Sequence, residues 1–310
     1  MTKNGQDFDG ASPSDEVVAW QRKEQEIMEE LTEMLRHIKV VSEDNTNFKV
    51  LEPALPPEIG LKLMESQAQA IEGDVAGAKE GIEALMDQIP GSMALRLAYA
   101  NVLLQIDPEE MEEGAYLALY ERAITILGVH LNVVLNQLDQ FGFESIEDIH
   151  FPSSYPENSS FLNSLYFLGQ EQELMGNYDQ AIELGMIQLQ FDGADILNVR
   201  RRLVDCLLVC EEPQMALEIC QDFEDDDSAA MLYGKALAAF MLEKKQAPRF
   251  LQEAIQKHPL YAYEMAGLEA PEKIEEAFEI DLEYAQYLHN LWADVEGAQK
   301  FLKKELMRLS

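Results

Sequence analysis

Residues 162–195 read LNSLYFLGQEQELMGNYDQAIELGMIQLQFDGAD. Leu165, Leu168 and Gly169 take large, large and small positions on one face of a first helix. Gly176-Asn177-Tyr178 makes a turn, and Ala181 falls where a second helix crosses the first. A small side chain is needed at that crossing because the helix backbones approach closely. The stretch therefore reads as one helix–turn–helix unit.

The unit recurs at about 34 residues, the tetratricopeptide period. At 59–92, Gly73-Asp74 is the turn, Ala78 the crossing residue, Ile82 and Leu85 the buried stripe, and Pro90 the stop. At 93–128, Ala100 and Ala123 are small contacts, Tyr120 a large one, and the turn lengthens around Asp107-Pro108-Glu109. The copy at 196–227 carries Ala216, Cys220 and Phe223 in its second helix, and the copy at 228–259 carries Ala247, Leu251 and Ala254. Pro259 closes that last copy, since proline cannot extend a helix. No run alternates as a strand does. The expected fold is all-α: a right-handed superhelical solenoid of tetratricopeptide-like helix pairs, preceded by an amphipathic helix.

Six segments follow from this reading: a disordered tail (1–14), an amphipathic heptad helix with its linker (15–57), a first repeat block (58–141), a long loop (142–161), a second repeat block (162–259) and a helical C-terminal cap (260–310). In the first helix, capped by Ser14 and running to about Val41, Val17, Trp20, Glu24, Ile27, Leu31, Met34, Ile38 and Val41 alternate gaps of three and four. That heptad spacing suits a cap on the first repeat or a homodimer seam through residues 15–41. Residues 129–161 break the period with a short apolar helix around Leu131 to Leu138 and a loop rich in proline and aromatics, positioned to staple the two repeat blocks. In the cap, Asp281 and Asp294 are expected to start helices at Leu282 and Val295.

Several stretches between 190 and 302 resemble a known group of tetratricopeptide proteins. They are Asn198-Val199-Arg200, Asp225 to Ala230, Tyr233-Gly234-Lys235-Ala236-Leu237, and Ala254-Ile255-Gln256-Lys257-His258-Pro259-Leu260. These look like the C-terminal repeats of the suppressor-of-tumorigenicity-7-like proteins and their bacterial relatives. Ala285, Trp292, Gly297 and Ala298 fit that group's ending, whereas His258-Pro259-Leu260 stands where its Asn-Pro-His segment would be. The likeness covers about 115–310 and implies a repeat fold, with no activity attached.

Lys and Arg number 23 against 58 Asp and Glu, a formal charge of −35. Such a surface repels phosphates and anionic lipid heads, so nucleic acid and membrane are not expected partners, and a basic protein or peptide is. Apolar runs fall short of the ~20 residues that span a bilayer. No secretion signal is read at the N-terminus, and three cysteines suit a reducing compartment, so a cytoplasmic location is expected.

No P-loop, GxGxxG, GxSxG, HExxH or CxxC pattern is present. No cofactor, metal or catalytic residue is therefore assigned, and the chain reads as a scaffold rather than an enzyme. The alternative is a metal- or redox-dependent regulator using Cys206, Cys210 and Cys220, which could converge on a soft metal or line an apolar stripe. The most conspicuous charge is Arg200-Arg201-Arg202. In tetratricopeptide arrays the first helices line the peptide-holding groove. Arg200 and Arg201, with Tyr166, Gln170 and Glu173 of the preceding repeat, are the candidate partner-binding residues. An arginine there could clamp a carboxylate, or be neutralised by Asp195, Asp205 or the acids near Asp225.

Overall fold

The computed structural model describes residues 15–44, 46–108, 112–143, 146–275 and 278–309. The expected tail, 1–14, lies outside them. The chain forms two compact units: one of residues up to 145 together with 156–164, the other of 146–155 together with 165–310.

Unit 1 begins with α1 (Asp15–His37). Its described half packs on the long helix α5 (Glu113–Leu138), burying Met34 and, just past its end, Ile38. Those two heptad positions are thus spent on the unit's own core; the side chains of Val17, Trp20 and Glu24 lie outside the described set. Glu30 pins the contact. Its carboxylate pairs with Arg96 of α4 (Met93–Leu104) and, at 2.6 Å, with Arg122 of α5.

Two expectations fail in this unit. The first helix stops at His37, and a β-hairpin follows in place of helix and linker: β1 (Lys39–Ser42) pairs antiparallel with β2 (Phe48–Leu51). Val40, Phe48 and Val50 face inward and are buried. Asp44 shapes the turn, its Oδ1 accepting from the backbone of Thr46 and Asn47 at 2.8 and 2.7 Å. Asn158 then closes the free edge of β2 as a strand would: its Oδ1 accepts from Val50 N at 2.9 Å and its Nδ2 donates to Phe48 O at 3.0 Å. Second, α5 runs unbroken to Leu138, absorbing the separate short helix expected at 131–138. Gly114–Phe141 is in fact long and apolar enough to cross a membrane, an 18-residue stretch of it having a mean hydropathy of 1.3. The sequence reading missed it because Glu121, Arg122, Asn132 and Asn136 interrupt the run. Its apolar face is used inside the unit, where Ala123, Ile126, Leu127, Val133 and Val134 are buried.

The pair α2 (Pro57–Ile71) and α3 (Val75–Met86) follows the expected repeat. Gly73 takes φ +96, closed to most residues, and Asp74 Oδ1 caps α3 by accepting from Gly77 N at 3.0 Å.

The segment expected as one long loop is divided between the units. Phe141 and Phe143 meet Phe48 edge-on at 5.3 and 5.5 Å in unit 1. Phe151 meets Phe191 at 5.1 Å in unit 2. The helix after it, α6 (Ser159–Leu174), starts three residues earlier than expected.

Unit 2 stacks helix pairs: the main part of α6 with α7 (Tyr178–Phe191), α8 (Val199–Val209) with α9 (Pro213–Asp222), and α10 (Ala229–Met241) with α11 (Ala247–Lys257). Ala181, Ala216 and Ala254 are buried at the crossings. At Gly234 a Cβ would sit 2.5 Å from Val204 Cγ1, so α10 approaches α8 closer than any other residue would allow. Beyond α11, Pro259 opens α12 (Pro259–Ala266), and α15 (Ala298–Leu309) lies beside α11, where Gln252 Nε2 donates to Glu305 Oε2 at 2.9 Å. Between them run α13 (Glu272–Glu275) and α14 (Leu282–Asp294). Asp281 caps α14 as expected, at 3.0 Å from Tyr284 N. Asp294, expected to start the last helix, instead ends α14.

Candidate functional site

The residues around Arg200 are organised by the turn entering α8. Asp195 and Asn198 both hold positive φ, 45° and 56°, a strained backbone for non-glycine residues. The Asp195 carboxylate stabilises it by accepting from Val199 N at 2.7 Å and Arg200 N at 3.1 Å. The Arg200 side chain folds back onto the same carboxylate, Nη1 to Oδ2 at 2.7 Å, while its Nε donates to Asp226 Oδ2 at 2.7 Å. Its guanidinium also lies 5.0 Å from the Phe223 ring centroid. Arg201 takes Asp226 in a fork, at 3.0 and 3.2 Å. Burial works to raise the Asp226 carboxyl, but hydrogen bonds from Arg201, Ser228 and Arg200 outweigh it and hold it well below the usual carboxylate range.

An open cleft of about 590 Å³ lies here. Arg200 and Arg201 line it, but so do Asp222, Glu224, Asp225, Asp226 and Asp227. With both arginines engaged by the chain's own carboxylates, the cleft is acidic.

Two of the other three candidate residues, Tyr166 and Glu173, meet a different arginine. Arg202 Nε donates to Glu173 Oε2 at 2.9 Å, Nη1 donates to the Tyr166 carbonyl at 3.2 Å, and the guanidinium lies 4.8 Å from the Tyr166 ring. Gln170 is half-buried on the same helix. Two residues turn an α-helix by about 200°, so Arg200 and Arg202 point to opposite sides of α8. The array position assigned to Arg200 belongs to Arg202.

Arg202, Asp205, Cys206 and Val209 share one face of α8, and α14 reaches across to it. Tyr284 Oη donates to Asp205 Oδ2 at 2.9 Å. Tyr284 contacts Tyr261 of α12 and stacks with Tyr287, and Trp292 meets Tyr233 of α10 edge-on at 6.3 Å. The first helices α8, α10 and α12 thus carry a helix of their own chain across them. Asp205 is 4% exposed, and its Oδ1 has no hydrogen-bond partner. Burial pushes this carboxyl well above its ordinary range, and the nearby Glu173 charge adds to that, against the Tyr284 hydrogen bond.

A folded-state pKa above the unfolded value gives stability that is present below about pH 4 and lost as pH rises through the folded pKa. Asp205→Asn should therefore match the native chain near pH 4. Above that it should gain about 1.4 kcal/mol of relative stability per pH unit until the carboxyl ionises. Urea unfolding across pH 4 to 8 measures this; parallel curves for the two chains would contradict it.

Cys206 and Cys220 are buried and Cys210 is half-buried. The Cys220 thiol donates to the Met231 carbonyl at 3.6 Å. Among the described residues no three His, Cys, Asp or Glu are grouped to hold a metal ion. Burial, the largest cause, pushes Cys206 and Cys220 up to about 12 and raises Cys210, the opposite of what a thiolate ligand or nucleophile needs. Neither the grouping of a metal site nor a readily ionised thiol supports the regulator reading of these residues.

The fold defines a class: a mostly helical repeat protein of stacked, tetratricopeptide-like helix pairs. No family model matches the chain, and no curated protein matches it. Similar solved structures include the following two. One is of YrrB, described as a TPR protein with an unusual peptide-binding site, at 15% identity, covering 64% of this chain and 85% of that one, with a TM-score of 0.44. The other is a Podosopora anserina putative kinesin light chain with nearly identical TPR-like repeats, at 16% identity, covering 66% and 97%, with a TM-score of 0.44.

Proposed function

We propose that the chain is a non-enzymatic interaction scaffold that holds a basic peptide or helical segment of a protein partner on the first-helix face of unit 2. One observation carries this: the face already holds a helix, α14, through the Tyr284–Asp205 hydrogen bond and apolar packing of Ala285, Leu288 and Trp292. A surface that takes an amphipathic helix intramolecularly has the shape to take one from outside beside it, where Tyr166 and Gln170 stay half-exposed. Charge selects the partner's sign. The formal charge is −35, and Arg200, Arg201 and Arg202 are each paired with an internal carboxylate. A carboxylate clamp, which the arginine run alone suggested, would have to compete with those pairs. We place the scaffold in the cytoplasm, in keeping with its unpaired thiols. The likeness to the suppressor-of-tumorigenicity-7-like group fits this reading and adds no reaction to it.

Site-directed photo-cross-linking in native cell extract tests the proposal. A photoreactive residue at Gln170, on the first-helix side, should capture a basic protein, with the yield falling as salt is raised. The same residue at Glu183, on the exposed side of α7, should not. Equal capture from both positions would overturn it.

A further inference from the structure

A cavity of about 560 Å³ lies where α14 passes the ends of α8 and α10, within the size range of ligand pockets. Its walls include the buried Leu208 and Leu291 and the half-buried Val209, Met241 and Tyr287. Its exposed members are Glu211, Asn290, Asp294 and Glu296, three of them acids. No lysine or arginine is among the lining residues.

Three features give this cavity one polarity. Val209, Met241 and Asp294 are the last residues of α8, α10 and α14, and all three line it. A helix C-terminus carries about half a negative charge, so three such ends add to the acidic rim. Glu211 is held at the mouth by its own backbone, at φ +58°, in the turn that closes α8. The third feature is the Tyr287 hydroxyl, which is buried and has no hydrogen-bond partner.

We propose that this cavity is the docking pocket for the partner segment, and that it takes an apolar side chain flanked by lysine or arginine. The apolar group fills the space against Leu208, Val209 and Leu291. The neighbouring cation sits among Glu211, Asp294, Glu296 and the helix ends. This rests on the scaffold reading and sharpens it, naming the place and the side-chain chemistry.

The test uses the full chain and a fluorescein-labelled peptide of leucine and lysine, read by anisotropy. Neutralising the rim (Glu211→Gln, Asp294→Asn, Glu296→Gln) should weaken binding about tenfold. An equal charge change at the other cleft (Asp222→Asn, Glu224→Gln, Asp225→Asn) should leave it within about twofold. Val209→Trp, which fills the pocket, should weaken the leucine-bearing peptide and leave a serine–lysine peptide unaffected. Equal losses from the two neutralised sets would mean general charge attraction only and would overturn the assignment. If position 170 still cross-links a basic partner while the rim variant captures it as well as the native chain does, the scaffold stands and the pocket falls.

Discussion

Arg200→Glu is expected to lower the unfolding free energy of unit 2 by about 3–5 kcal/mol, the usual cost of removing one partner from a buried ion pair. The Arg200 side chain is 13% exposed, and those of Asp195 and Asp226 are 1% and 5%. Taking the guanidinium away leaves Asp195 without its ion-pair partner at a strained turn, and the new carboxylate meets two others. From the sequence alone Arg200 reads as a candidate partner-binding residue, whose replacement would cost partner capture rather than fold. The structure changes that expectation: the first loss should be of fold. Arg200→Lys should be intermediate, because one ammonium cannot reproduce the planar fork. Guanidinium unfolding followed by circular dichroism measures the effect. An unchanged midpoint in the glutamate variant would show that these pairs do not form.

Glu30→Ala should cost unit 1 about 3 kcal/mol or more, by the same physics. The Glu30 side chain is 7% exposed and joins Arg96, 12% exposed, to Arg122, 38% exposed. Burial already disfavours the Arg96 charge, and Glu30 is the main group supporting it. Without Glu30, α1 loses its polar anchor to α4 and α5, and a desolvated guanidinium remains. Glu33, on the same helix, serves as control: its partners Arg36 and His37 are one turn away, so Glu33→Ala should leave the midpoint unchanged. A loss under about 1 kcal/mol for Glu30→Ala, the range of exposed pairs, would mean that α1 is held by apolar contact alone.

The helix pairs were legible because their signals are local. Gly73-Asp74 and Gly176-Asn177-Tyr178 mark turns by residue type, and Ala78, Ala181, Ala216 and Ala254 mark crossings by size. What was not legible depends on partners far away in the chain. Lys39-Val40-Val41-Ser42 continues a heptad pattern, and only pairing with Phe48–Leu51 and the Asn158 side chain makes it a strand. The length of α5 was hidden by the repeat itself, which predicted a boundary near residue 128 that the apolar pattern does not contain. The site was legible in part. The arginine run was visible, but which arginine meets Tyr166 and Glu173 depends on where α8 starts, and two positions turn the side chain away. Asp205 looked like a possible arginine partner; its actual partner, Tyr284, is 79 residues on, with no local signal to join them.

Helix α14 lies across the first helices, held by Tyr284 on Asp205. A double-mutant cycle of Tyr284→Phe and Asp205→Ala, read by urea unfolding at about pH 5, addresses that contact directly. Each single substitution removes one side of the same hydrogen bond, so the two effects should fall short of additivity by about 1 kcal/mol or more. Additivity within about 0.5 kcal/mol, as for distant sites, would contradict the docking of α14 on this face.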